Sequence, residues 1–396
     1  MEMTRILVLG AGYGGMMTAI ELEQAGQPFT LVNKHDYHYF TTLLHEPAGG
    51  RHAFEPYYVD LHDVLRRDTS HVRKDLVIEL RPYENRVLTQ SGPIDYDYLV
   101  IALGNAPEFF GIPGMQEHAL LLRSLQTARQ INRQIEQAFA TYHQDQDERN
   151  LRIIVGGAGL TGVELCGELA DWLPELAGKY GVPFAKVEVV NLEAAPTILP
   201  MLPVELRAAA ESALRQKGVK LLTGVAITKV RHERVELHTG DVLEAKTIIW
   251  TGGVRANPLL EKACLTTDSR GRALVDAYLQ SVDFANVFVV GDSASFTGAD
   301  GAPLPPTGQA AAQMGEWAAR NLINRLHNRP LEPFHFVNRG TLASIGPEFG
   351  VGRVQGVNAV GVSASLLKEA SKLKYLFRLG GLRMVKQKRG QLKRKE

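Results

Sequence analysis

Two runs of glycine carry the clearest chemistry in the sequence. Gly10, Gly12 and Gly15 follow the apolar residues 6–9, and Gly157, Gly159 and Gly162 follow residues 153–155, each in the spacing G-x-G-x-x-G. Between a strand and a helix such a turn reverses the chain tightly, lets a pyrophosphate approach the backbone, and packs the helix closely on the strand. The phosphates then meet unpaired N–H groups at the helix N-terminus. Two turns imply two dinucleotides, or one dinucleotide and a duplicated half that has lost its ligand. The strand after the second turn ends on Glu193, which can accept from both hydroxyls of a ribose and would repel an extra phosphate. The strand after the first ends on Asn33-Lys34, a departure from that pattern.

Five more residues could act on a ligand. Glu164 follows the second turn by one helical step; a site-facing carboxylate and an acid placed there for the helix dipole are both compatible with that position. Glu168, four residues on, shares its helical face. Gln309 and Gln313 lie one turn apart and offer amide donors to a carbonyl, or are buried glutamines satisfied by nearby backbone. Asp292, at the end of residues 286–292, either binds a ligand hydroxyl or caps the segment after it.

The elements that must position these groups read as alternating strands and helices. Strands are predicted over 5–9, 29–32, 96–103, 152–155, 187–192, 248–251 and 286–290, and helices over 16–25, 163–173 and 308–326. Apolar residues at 125, 128, 131, 135, 138, 139 and 142 predict a long helix over 122–143. Residues 36–46, rich in aromatic and polar groups without periodicity, read as a loop, either lining a ligand or packed on the surface. Three buried strands stop at glycine, at Gly104, Gly253 and Gly291. This is an α/β protein with two doubly wound, Rossmann-like domains.

Composition bounds the rest. The 396 residues suit two or three domains, and with a net charge of +1 the whole chain is no polyanion binder. Charge is uneven: residues 366–396 hold eleven Lys or Arg against two Glu, so the remainder carries −8. Cys166 and Cys264 form no metal or redox spacing, which fits a reducing cytosol, and neither a signal peptide nor a membrane span is expected.

The order of these motifs is typical of two-dinucleotide flavoproteins. Within them the chain resembles the type II NADH dehydrogenases, single-subunit NADH:quinone oxidoreductases. The narrower likeness lies in Asn33-Lys-His-Asp-Tyr-His-Tyr39, Leu44-His-Glu-Pro-Ala48, Gly156-Gly-Ala-Gly-Leu-Thr-Gly-Val-Glu164, Glu193-Ala-Ala-Pro196 and Pro305-Pro-Thr-Gly-Gln-Ala-Ala-Ala-Gln313, which together span nearly the whole chain. The resemblance implies FAD at the first turn, with Gly10, Gly12, Tyr13, Gly14, Gly15 and the Asn33-Lys34 pair, and NADH at the second. It places Asp292 and Gly291 by the FAD ribityl and pyrophosphate, Val77 by the adenine, Gly104, Gly253 and Gly308 among the cofactor contacts, and Lys368 on the flavin. Glu164 becomes a catalytic candidate at the nicotinamide–flavin contact. Gln309 and Gln313 become the quinone-binding candidates, with Gly308 where the family has alanine.

The resemblance also implies a homodimer. It divides the chain into an FAD domain of residues 1–112 and 254–330, an NADH domain of 113–253 and a membrane-facing part of 331–396. An NADH-dependent ferredoxin-type reductase is the alternative enzyme, and an NADH-responsive, non-enzymatic protein the alternative outside catalysis. Redox cysteines, which disulfide reductases and sulfide oxidisers need, are absent beside the first turn. The tail argues for a membrane quinone: Leu366, Ala370, Leu373 and Phe377 share a helical face, Gly380-Gly381 permits a bend, and 386–395 is basic. Such a segment is expected on an anionic membrane, on the cytoplasmic face, rather than on nucleic acid, with a dimer-contact helix bearing a solvated basic end as the other reading.

Overall fold

The computed structural model describes residues 4–298 and 301–392. The chain forms two compact units: one of residues up to Tyr39, Tyr58–Pro107 and Val254–Val337, the other of Phe40–Tyr57, Glu108–Gly253 and Asn338 onward.

In the first unit a five-stranded parallel sheet runs in the order Val287–Val289, Tyr98–Ile101, Ile6–Leu9, Phe29–Asn33, Ser70–Lys74. The second unit repeats the plan: Leu120–Leu121, Thr247–Trp250, Arg152–Gly156, Glu188–Glu193, Lys220–Thr223, again all parallel. In both, the strand that feeds a glycine turn lies at the centre. Ile6–Leu9 is buried along its whole length, as expected for a parallel strand covered on both faces. Each unit also carries a three-stranded antiparallel sheet, Val77–Arg81 with Arg86–Thr89 and Gly92–Asp95 in the first, Ile227–Arg231 with Arg234–Leu237 and Val242–Glu244 in the second.

The long helix of the second unit runs Leu125–Asp145, and all seven periodic residues named above are buried. Ser124 caps it, accepting from the Thr127 N–H in a reciprocal capping arrangement.

Two expectations differ from the structure. Residues 36–46 are ordered as the strand Tyr37–Tyr39, a short 3₁₀ turn Thr41–Leu43 and the helix His45–Ala48. Tyr37–Tyr39 pairs antiparallel with Tyr58–Asp60, so its alternating aromatic residues are strand residues. Residues 331–396 do not stand apart as a third body: residues from Asn338 on belong to the second unit and 331–337 to the first. The reason is close packing, since a Cβ on Gly167 would lie 2.7 Å from the Ile345 Cα and the Gly346 nitrogen. The strand Thr341–Ser344 that precedes this contact leads a three-stranded antiparallel sheet with Gly350–Val354 and Val357–Val360.

The last helix, Val362–Leu392, breaks at the glycine pair as expected, with Gly381 at φ +63° and Gly380 well outside helical geometry. Of the apolar face named above, Leu366, Ala370 and Phe377 are exposed and Leu373 is half-buried; beyond the bend Leu382 is exposed too, while Lys368 and Lys372 turn inward, with side chains only 15% and 6% accessible. Part of the basic run, 393–396, lies outside the described residues. No helix among the described residues is long and apolar enough to cross a membrane.

Candidate functional site

The two glycine turns are built alike. Gly10 takes φ +93° and Gly157 φ +98°, conformations that glycine adopts without a Cβ penalty. Gly15 and Gly162 are required by contact, because a Cβ there would lie 1.8 Å from the Gly10 carbonyl oxygen and 1.9 Å from that of Gly157. The middle glycines differ: Gly12 and Gly159 have ordinary extended backbone, and a Cβ would meet nothing within 4 Å. They are also the N-caps of the helices Tyr13–Gln24 and Leu160–Tyr180, neither of which has a side-chain cap. A helix start without a side-chain cap, with an open approach and no packing reason for glycine, fits a pyrophosphate. Both turns therefore fit a dinucleotide.

The strand-end residue closes each turn. Asn33 Oδ1 accepts from the Ala11 N–H at 3.1 Å, and its amide donates to the His35 carbonyl. Glu193 Oε2 accepts from the Ala158 N–H at 2.6 Å, and Oε1 from the Ala195 N–H at 2.8 Å. Exposed Lys34 follows Asn33. His38, which the sequence left within a loop, is fully buried beneath the first turn: Nδ1 meets the Ala11 carbonyl at 2.7 Å and the ring packs edge-on against half-buried Tyr13. Burial pushes His38 down to about 4, so it is neutral at pH 7.

Around the first turn, Gly14 packs against Val290 and the Ala311 carbonyl, and Gly315 against Gly14. The Thr18 hydroxyl donates to the Gly315 carbonyl. The small residues of Gly308–Leu326 thus serve close helix–helix packing. Asp292 is held by Asn105, whose amide donates to Oδ2 at 2.6 Å; burial raises its carboxyl, against the opposing pull of Asn105 and Arg272. Gly104, Gly253 and Gly291 all have positive φ, and Val77 is buried at the start of its strand. Gln309 is half-buried in the first turn of the helix begun at Gly308. Gln313 is buried and engaged by backbone: it donates to the Val337 carbonyl and accepts from the Val337 N–H, both at 3.0 Å. That is the packing alternative for Gln313.

Glu164 and Glu168 lie buried in the second unit on the helix Leu160–Tyr180. Glu164 Oε1 accepts from Lys368 and from the Ser344 N–H. Lys368 also donates to Ser344 Oγ at 2.8 Å and lies 3.4 Å from His45 Nε2, so the residue expected on the flavin is here the counterion of Glu164. Burial raises Glu164 above the usual carboxylate range, and Lys368 only partly offsets it. Glu168 is gripped by the Arg51 guanidinium and, by burial, is pushed up to about 7. Glu46 accepts from the Tyr57 hydroxyl at 2.7 Å; although buried, it is drawn down to about 2 by Lys372 and Arg51. His45, Glu46, Arg51, Ser344 and Lys372 were not singled out in the sequence, although the segment 44–48 holds two of them. Cys166 is buried on the same helix, its thiol pushed up by burial, and acts as packing.

The profile of the pyridine nucleotide-disulphide oxidoreductases matches residues 4–315. Type II NADH:quinone oxidoreductases of Staphylococcus saprophyticus and Staphylococcus aureus are each 38% identical over 388 residues, covering 96% of both chains. In structure the chain is similar to NDH2 from Plasmodium falciparum solved in complex with NADH, with a TM-score of 0.90 at 16% identity over 100% of this chain and 99% of that one. It is also similar to the sulfide:quinone oxidoreductase of Aquifex aeolicus, at 0.79 and 20% identity over 95% and 91%.

Proposed function

The chain belongs to the type II NADH:quinone oxidoreductases, and on that premise we propose that it binds FAD at the first glycine turn and NADH at the second, takes hydride from NADH and delivers two electrons to a membrane quinone without pumping protons. The observation that carries this reading is the pair of uncapped helix starts at Gly12 and Gly159, each with open space where a side chain would stand. FAD, when bound, supplies the redox chemistry; the chain supplies binding, orientation and electrostatics. Asn33, Asp292 and the first turn hold FAD. Glu193, fixed by two backbone N–H groups, holds the NADH ribose. Glu164 is a catalytic carboxylate whose charge is set by Lys368, Ser344 and burial. Gln309 is the quinone-side amide, with Gln313 behind it anchoring the segment that ends at Val337.

We propose further that the face of Leu366, Ala370, Leu373 and Phe377, with Leu382 beyond the bend, lies on the cytoplasmic face of the cell membrane, where apolar burial and basic residues act together. Each Lys or Arg near an anionic leaflet adds about 1 kcal/mol, so attachment weakens with salt. A homodimer belongs to the same proposal and is checked by mass in solution. Truncation after Arg383 is expected to reduce flotation with anionic liposomes while leaving reduction of a soluble short-chain quinone unchanged.

The deciding experiment is steady-state quinone reduction by the purified protein. It should be yellow, release FAD on denaturation and reduce quinone with NADH. Gln309→Ala should slow the quinone half-reaction and spare flavin reduction; a colourless folded protein, or one inert toward quinone, contradicts the assignment.

A further inference from the structure

The donor set around Glu164 is asymmetric, and His45 occupies its open side. Lys368 and the Ser344 N–H both converge on Oε1. Oε2 faces His45 Nδ1 at 3.3 Å. The ring's other nitrogen, Nε2, lies 3.4 Å from both Ser344 Oγ and Lys368 Nζ. A lysine ammonium can only donate, so Nε2 is the acceptor and the ring proton of neutral His45 stands on Nδ1, toward the carboxylate. Neutrality follows from the surroundings: burial, then Lys368, with Arg51 and Lys372 adding to them, outweigh Glu46 and hold the imidazole well below its ordinary value. His45 is 2% accessible and begins the helix His45–Ala48, so its ring is shielded from water.

This arrangement has a logic that packing alone does not require. A cation facing each carboxylate oxygen would bury surplus positive charge, whereas a neutral donor on Oε2 orients the carboxylate without changing the net charge of the Glu164–Lys368 pair. Ser344 links the two sides: its backbone N–H reaches Glu164, and its hydroxyl lies between Lys368 and the ring.

We propose that His45 is a positioning residue for Glu164, presenting its Nδ1–H to Oε2 while Lys368 and Ser344 hold Oε1, so that carboxylate orientation and proton affinity are set together. The inference rests on the reading of Glu164 as a catalytic residue. Removing a donor from a carboxylate makes its proton harder to lose. A hydrogen bond to a charged group is worth about one pH unit of such a shift.

The test uses the FAD-loaded holoenzyme and follows flavin reduction by NADH in stopped flow across the acid and neutral range, with FAD content and thermal unfolding measured beside it. His45→Leu is expected to move the acid limb of the rate profile up by about one pH unit, so that reduction at a fixed pH on that limb slows about tenfold. His45→Asn places an amide donor where Nδ1 stands and should restore both. Should His45→Leu fail to fold, Ser344→Ala removes the hydroxyl beside Nε2 while keeping the N–H to Glu164, and it should shift the profile the same way by less. A rate loss that tracks unfolding without moving the profile, equal behaviour of the Leu and Asn variants, or an unmoved profile in Ser344→Ala overturns the proposal. Glu164→Gln is run alongside. If it is slow while His45→Leu is normal, His45 alone has been misassigned; if it is itself normal, the catalytic reading of Glu164 falls and takes the proposal with it.

Discussion

The first and second glycine turns share their close contacts and differ in the residue that closes them. Gly15 and Gly162 meet the carbonyls of Gly10 and Gly157 at nearly the same distance, and each strand end reaches back to the N–H of the residue after the first glycine. In the first turn that acceptor is the carboxamide of Asn33; in the second it is the carboxylate of Glu193. The mechanical task, fixing the turn beneath a helix N-terminus, needs only an oxygen. Charge is an independent variable laid over it, available for choosing the nucleotide. The second unit carries further charge inward, with buried Glu164, Glu168 and Glu46 each held by a half-buried cation, whereas beneath the first turn lies a neutral histidine.

The largest effects should come from breaking the shared glycine contact in each unit separately. Gly15→Ala or Gly162→Ala forces a methyl into a backbone oxygen, and relief requires the helix to move off its strand. Overpacking of this kind costs about 1–3 kcal/mol or more, so affinity for the nucleotide on that turn should fall by roughly tenfold to a hundredfold. Gly15→Ala should lose FAD during purification. Gly162→Ala should stay yellow and show a raised KM for NADH. Loss of FAD from both variants would mean that the turns do not serve separate ligands.

Much of this was legible before the structure because it is local. A G-x-G-x-x-G between a buried strand and a helix has one geometry, and seven apolar residues at helical spacing buried one face of Leu125–Asp145 without exception. The Gly380-Gly381 bend was equally readable, since two glycines lose most by staying helical. What the sequence hid depends on residues distant in the chain. Nothing near Glu164 announces that Ser344 and Lys368 are its partners. Gln313 was a candidate ligand group until the Val337 backbone was found to use both ends of its amide. The segment 36–46 lacked periodicity because a three-residue strand and a single helical turn are too short to display one.

Acid should act on the first turn through His38. The folded protein holds this histidine at about 4, against 6.5 when unfolded. Between those values the unfolded chain binds more protons, so stability falls as pH drops from about 6.5 and the loss is complete near 4. It amounts to on the order of 3 kcal/mol. Because Nδ1 meets the carbonyl of Ala11, within the turn itself, FAD release should accompany this loss. Flavin fluorescence and unfolding midpoints measured at stepped pH check it. His38→Gln, which cannot take up the proton, should flatten the dependence; an unchanged slope in that variant would assign the acid sensitivity to another group.

The smallest effect isolates the charge that distinguishes the turns. Glu193→Gln keeps the side chain's length and an oxygen for the Ala158 N–H, but it replaces the second oxygen, which accepts from the Ala195 N–H, with an amide nitrogen that cannot. Loss of that bond loosens the turn for any nucleotide, so KM should rise for NADH and NADPH together. Loss of the negative charge acts only on NADPH, whose extra phosphate the carboxylate repels. The informative quantity is therefore the ratio of kcat/KM for the two nucleotides, in which the common loss cancels. That ratio should move toward NADPH by about tenfold, equivalent to about 1.4 kcal/mol, with FAD content unaltered because Glu193 closes the second turn and the first is closed by Asn33. A ratio that stays where it was, with KM raised for both, would mean that Glu193 braces the turn and that the choice between nucleotides is made elsewhere.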